Sequence, residues 1–200
     1  MKRLYRYGRA VFGLLLSALC LSCGGGGSSD PSGTTWTVTP DSIAGVSSIV
    51  LYKNLSQSSA DVLAVDVAVH SVMAASVYGA ALDLGFDSSV IVWNGSGVSS
   101  CTGSAAGCMT GNFLEQTSLN GVLYDVTLQQ GTTNKLIIGV AQTGNDPGAT
   151  GSGTLVTLFF NRVAAGTTPL EFSDNALRNP PPSSSDISGI NWFGATVTAQ

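Results

Sequence analysis

From residue 35 onward apolar and polar side chains alternate with a period of two, interrupted by clusters of Gly, Asn, Asp, Ser and Pro, and helical periodicity is almost absent. In Asp61 to His70, Leu63, Val65, Val67 and Val69 share one face while Ala64, Asp66, Ala68 and His70 share the other. That predicts a half-buried strand. The next run, Val77 to Phe86, gathers Tyr78, Ala80, Leu82, Leu84 and Phe86, then closes on an Asp87-Ser88-Ser89 turn before a short strand from Val90 to Trp93. Val122 to Gln129 and Lys135 to Gln142 bracket a polar loop and predict a β-hairpin. Its even positions, from Val122 and Tyr124 to Ile138 and Val140, form the core face. Its odd positions, among them Leu123, Asp125, Thr127 and Ile137, form a mixed outer face. Gly153 to Val163 is apolar on both parities, which fits a central or bulged strand. Leu170 to Phe172 predicts a short strand. The stretch from Asn179 to Ser185, with three consecutive prolines, predicts a surface loop because proline cannot donate to a ladder. A last strand is predicted from Ile190 through Trp192, Phe193, Ala195 and Val197. With Ile49 to Leu55 in front, the total is eight to ten strands, enough for an all-β sandwich of two antiparallel sheets.

The N-terminus changes the picture. Lys2, Arg3, Arg6 and Arg9 precede an apolar run from Ala10 to Ser22 that is too short to span a bilayer as a helix, which predicts an export signal over residues 1–22. Leu21-Ser22-Cys23, followed at once by four glycines, resembles the lipobox of bacterial lipoproteins, with Cys20 standing where that motif usually has Leu. The resemblance implies that Cys23 is acylated and tethers the chain to a membrane, with residues 23–34 as lipidated cysteine and flexible linker and 35–200 as one domain. Gly24 after that cysteine resembles lipoproteins sent to the outer membrane, so the expected location is the cell envelope. Cys101 and Cys108 are then the two thiols left in an oxidising compartment, and a disulfide between them is expected.

Loss of the signal leaves four basic residues against twelve acidic ones, a net charge of −8 with histidine neutral. Lys53, Lys135, Arg162 and Arg178 are scattered singly, so there is no basic patch and no nucleic-acid partner is expected.

Four segments carry a further likeness. D-V-L-A-V-D-V-A-V from Asp61, V-Y-G-A-A-L-D-L-G-F-D from Val77, G-S-G-T-L-V-T-L-F-F-N-R-V from Gly151 and G-A-T-V-T from Gly194 resemble, in order and glycine placement, the cohesin family of jelly-roll sandwiches. The resemblance covers about Asp61 to Thr198. It implies an eight- to ten-stranded jelly-roll fold, and a binding role in which one flat face holds a dockerin-like protein or the domain contacts polysaccharide. Dockerin-holding cohesins commonly place Asn and Asp near the start of the second strand, where this chain has Gly79, Ala80 and Ala81; the Asp-Pro turn after that strand is Asp87-Ser88 here.

Catalysis finds little support. His70 is the single histidine and is expected on an exposed strand face beside Asp66. No G-x-S-x-G elbow or phosphate-binding glycine loop occurs. Glu115 and Glu171 are the two glutamates, and nothing in the pattern brings them together as a glycosidase pair. No metal site or cofactor is expected, Asp87, Asp146 and Asp174 being the loop acids that calcium could use. The candidate binding residues are therefore Leu123, Asp125, Thr127 and Ile137 on the hairpin's outer face, an apolar patch in a polar surround suited to protein recognition, together with Trp93 and Asn94 at a strand end as a sugar-stacking alternative. Trp36, Tyr124 and Trp192 are the other aromatic candidates, Tyr124 on the core face. A monomeric domain is expected.

Overall fold

The computed structural model describes residues 35–96, 100–131 and 134–200. The predicted signal, Cys23 and the linker lie outside the described residues, as do the hairpin-loop residues Thr132 and Thr133. Among the described residues the strands are β1 (Trp36–Pro40), β2 (Ser48–Lys53), β3 (Val62–Val77), β4 (Gly79–Phe86), β5 (Ile91–Trp93), β6 (Thr102–Gly103), β7 (Cys108–Thr110), β8 (Val122–Gln129), β9 (Asn134–Gln142), β10 (Ala149–Arg162), β11 (Gly166–Arg178), β12 (Asn191–Phe193) and β13 (Ala195–Ala199). One turn of 3-10 helix, Ser104–Ala106, joins β6 to β7. One sheet runs β1-β13-β11-β4-β9-β8 and the other β12-β2-β3-β10-β7-β6, with β5 also paired to β10. All pairs are antiparallel except β12 with β2.

The period-two pattern does what it predicts. Leu63, Val65, Val67 and Val69 of β3 face Leu82, Leu84, Leu136, Ile138 and Val140 of the other sheet's inner side in one buried core. The strand count rises to thirteen because β1 and the two- and three-residue strands β6 and β7 carry too little alternation to be read, and because the expected last strand divides into β12 and β13.

Three boundaries differ from the sequence expectation, while β10 meets it. Val77 ends β3 and is fully buried, so the following strand starts at Gly79 rather than at Val77. The short strand at Leu170–Phe172 is the centre of thirteen-residue β11, which takes Pro169 at an exposed position and carries a bulge between Ser173 and Ala176. β10 is central, between β3 and β5/β7, and also bulged, with register shifts between Ala149 and Val156. The single last strand is two: β12 joins one sheet and β13 the other. The chain changes sheets at Gly194, where a Cβ would stand 2.3 Å from the Leu170 carbonyl oxygen, so only glycine fits.

Candidate functional site

The register lays out the outer face of the β11-β4-β9-β8 sheet in rungs. Arg178, Gly79, Ala141 and Leu123 form one rung across four strands, and Ala176, Ala81, Gly139 and Asp125 the next. Ser173, Asp83, Ile137 and Thr127 form the third. The four hairpin residues expected to form a surface are thus brought together: Leu123 is 67% and Ile137 43% exposed, and Thr127 donates from Oγ1 to Asp125 Oδ1 at 3.1 Å.

Small residues in the two middle strands leave a trough between higher walls. An open groove of about 610 Å³ has Ala81, Gly139 and Ala141 on its floor, Leu123 and Asp125 on one lip, and Arg178, Asn179 and Ser184 on the other. Arg178 is bridged to Asp186 at 3.3 Å. Beside the groove Lys135 donates to the Asp83 carboxylate, and that hydrogen bond raises the lysine's pKa above its ordinary value. Beneath the β8 side, Tyr124 donates to the Gly111 carbonyl at 2.9 Å and meets Glu115; burial first, then the glutamate charge, pushes its phenol well above the usual range. Sequence reasoning missed the groove and its Arg178 lip. The signal was present as two matching small-apolar-small triplets, Gly79-Ala80-Ala81 and Gly139-Val140-Ala141, which the register sets side by side.

The aromatic alternatives fall away. Trp93, a candidate for the binding face, is 3% exposed and donates from Nε1 to the Gly107 carbonyl at 2.7 Å. Its partner strand places it beside Phe160 on the core side. Asn94 is half-buried, its amide donating to Ser104 and its Oδ1 accepting from Asn161. Trp93 is thus a core residue rather than part of an exposed face, and Asn94 is held between the Ser104 turn and Asn161. Trp36 is 5% exposed and bonded to the Ala60 carbonyl, and Trp192 is half-buried edge-on against Phe172. Among the described residues the exposed large apolar side chains are aliphatic or methionine.

His70 is half-buried rather than exposed, its ring packed edge-on against Tyr52 with Nε2 lacking a hydrogen-bond partner. Asp66 accepts from Asn54 and Thr157, so no His–Asp pair forms. Glu171 sits on the outer face of β11 and Glu115 in the segment after β7, on separate elements. Asp146 is spent on structure: it accepts from Ser118 Oγ, from Asn120 Nδ2 and from the N–H groups of Leu119 and Asn120. Burial alone would raise its pKa, and those bonds outweigh burial and hold it low. Asp87 is likewise held low by the Ser89 N–H. No three His, Cys, Asp or Glu side chains gather as metal ligands among the described residues. Cys101 and Cys108 are joined as the expected disulfide.

No protein-family model and no curated protein matches the chain. Solved structures do. A type II cohesin domain from the cellulosome of Acetivibrio cellulolyticus aligns with 81% of this chain and 95% of its own at a TM-score of 0.53 and 15% identity. The second type II cohesin module of the ScaA scaffoldin from the same organism gives 0.48 at 14%, covering 81% and 94%. A non-cellulosomal cohesin from Archaeoglobus fulgidus gives 0.46 at 15%, covering 68% and 78%. The fold is a cohesin-like jelly-roll sandwich.

Proposed function

We propose that the protein is a non-catalytic recognition module, cohesin-like in use as well as in fold, that holds a dockerin-like protein partner on the outer face of the β11-β4-β9-β8 sheet. The observation that carries this reading is that face: exposed Leu123 and Ile137 beside Asp125 and Thr127, next to a groove floored by small residues. Exposed aliphatics in a polar surround recognise protein. Polysaccharide binding would want flat rings open to solvent, and Trp36 and Trp93 are in the core instead. The neighbouring type II cohesin comes from a cellulosome, which suggests a setting of polysaccharide breakdown in which the partner, not this module, meets the glycan. The lipobox-like Cys23 would tether the module to the cell envelope, most simply the outer membrane, and the linker would give it reach.

The test is titration calorimetry of a panel of dockerin modules against the protein, Asp125→Lys and Ile137→Ala. A bound dockerin whose affinity falls at least tenfold in both variants is the expected result, since central contacts at an interface dominate its energy. A panel that yields no binder, or one whose affinity neither change alters, removes this face as the binding site.

A further inference from the structure

Gly139 is a glycine the fold does not ask for. It stands in the middle of β9, paired to Ala81 on one side and Asp125 on the other, with no positive φ. A Cβ built there would meet nothing within 4 Å. Glycine in a strand interior weakens the strand, and where neither a bulge nor a left-handed backbone explains it, it marks a place that something approaches closely from outside. Gly111 and Gly194, by contrast, are crowded by backbone, Gly107 and Gly148 have positive φ, Gly45 lies in a loop outside the strands, and Gly85 of β4 is in ordinary contact with the Glu171 oxygen at 3.7 Å. Gly79, at the end of the same trough, already has the Val140 oxygen and the Ala141 methyl at 3.0 and 3.2 Å. The open space over Gly139 is the middle of the groove.

The charges at the two lips are unequal. Arg178 has Asp186 as its partner, whereas among the described residues no cation pairs with Asp125, whose carboxylate accepts only from Thr127. The two lips stand three strand spacings apart, roughly 14 Å, wide enough for one polypeptide segment. Resting on the protein-binding reading above, we propose that this groove seats one large apolar side chain of the partner, Leu, Met or Phe, over Gly139, with a neighbouring Lys or Arg of the partner meeting Asp125. The absent side chain at Gly139 sets the specificity: the partner supplies the knob, and this chain supplies the hole.

A random dodecapeptide display library selected on the protein, with depletion on a Gly139→Leu variant, tests the inference. The expected peptides carry a large apolar residue with Lys or Arg at constant spacing. Their affinity by calorimetry falls at least tenfold on Gly139→Leu and several-fold on Asp125→Asn. Asp125→Lys should turn the selected charge from basic to acidic. Thermal melting must show Gly139→Leu as stable as the parent, and Gly139→Val serves if it is not. Peptides without the apolar-basic pair, peptides that bind Gly139→Leu equally, or no enrichment at all would overturn the inference, as would soluble xylan or cellulose oligomers that Gly139→Leu displaces. If a dockerin module loses affinity with Asp125→Lys and Ile137→Ala but not with Gly139→Leu, the face is the site and the hole over Gly139 is not its centre.

Discussion

Gln142 closes β9 and is 2% exposed, yet its side chain is fully bonded: Nε2 donates to the Leu114 carbonyl at 2.7 Å and to Thr117 Oγ1 at 2.8 Å, and Oε1 accepts from the Gly148 N–H at 2.9 Å. One amide therefore pins two segments to the sheet that carries the groove. Leucine in its place keeps most of the volume and strands two buried backbone groups, the Leu114 oxygen and the Gly148 N–H. Thr117 keeps a partner because it donates to the Gly148 carbonyl. At about 1–3 kcal/mol per stranded group, less about 1 kcal/mol for added apolar burial, Gln142→Leu should lose about 3 kcal/mol. For a domain of this size that lowers Tm by roughly 6–12 °C. Urea unfolding with an unchanged m-value is the assay. Gln142→Glu adds a pH arm. A protonated glutamic acid can still donate to Leu114 and accept from Gly148, whereas the carboxylate has no proton for the Leu114 oxygen, so the folded pKa lies above the unfolded value of about 4.3. A raised folded pKa gives stability that is fully present below the unfolded value and is lost as pH rises through the folded one. The Glu variant should therefore approach the parent near pH 4 and fall behind it at pH 8. A Leu variant losing less than about 1 kcal/mol, the low end for even one stranded buried group, or a Glu variant whose deficit ignores pH, would refute the reasoning.

Three further outcomes follow from the same contacts. Replacing Cys101 and Cys108 together, or reducing them, opens an eight-residue loop and should cost about 2.5 kcal/mol on the chain-entropy model, read as a shift in urea midpoint with and without reductant. Gly111→Ala drives a Cβ to 2.1 Å from the Thr154 oxygen and should unfold or severely destabilise the domain, while Gly139→Ala should raise stability by about 0.5–1 kcal/mol; equal effects in thermal melts would contradict the contrast. Lys135, whose pKa is raised by its bond to Asp83, contributes stability that is present below its ordinary value of 10.5 and is lost as pH rises through the raised one, so Asp83→Asn should flatten the alkaline limb of the stability curve.

How far the sequence carried depended on which residues do the packing. Leu63 to Val69 and the even positions of the hairpin are legible because one face is core and the other is not, and burial is what period two records. β11 was read at a quarter of its length, because Pro169 and the bulge at Ser173 to Ala176 break the alternation without ending the pairing. Trp93 stayed a sugar-stacking candidate beside the reading that packs it in the core, because a strand-end position next to Asn94 carries no sign of what covers it. What covers it is distant in sequence: the Gly107 turn inside the disulfide loop, brought back onto β10 by Phe159 N–H bonding to the Gly107 oxygen. The groove escaped for a similar reason. Its floor is defined by the side chains Gly79, Ala81, Gly139 and Ala141 do not have, and its far lip by Arg178, a strand edge that the pattern stopped short of.

The two outer faces of the sandwich are not equivalent, and that asymmetry bears on where a partner can dock. On the β2-β3-β10 side, Val50, Ala64 and Phe159 point away from the main core yet are at most 1% exposed, so the chain closes that face over itself. At its centre Asp66 takes bonds from Asn54 and Thr157, and His70 packs edge-on against Tyr52. The β4-β9-β8 side has no such cover: Leu123 and Ile137 stay out in solvent, and Gly139 has open space above it. A sandwich that spends its loops and its disulfide on one face and leaves the other bare has one broad surface for an extended partner. Occupying it should protect the β8 and β9 amides from hydrogen exchange while leaving those of β2 and β3 unchanged, and protection spread evenly over both sheets would argue that binding acts on the stability of the whole fold instead.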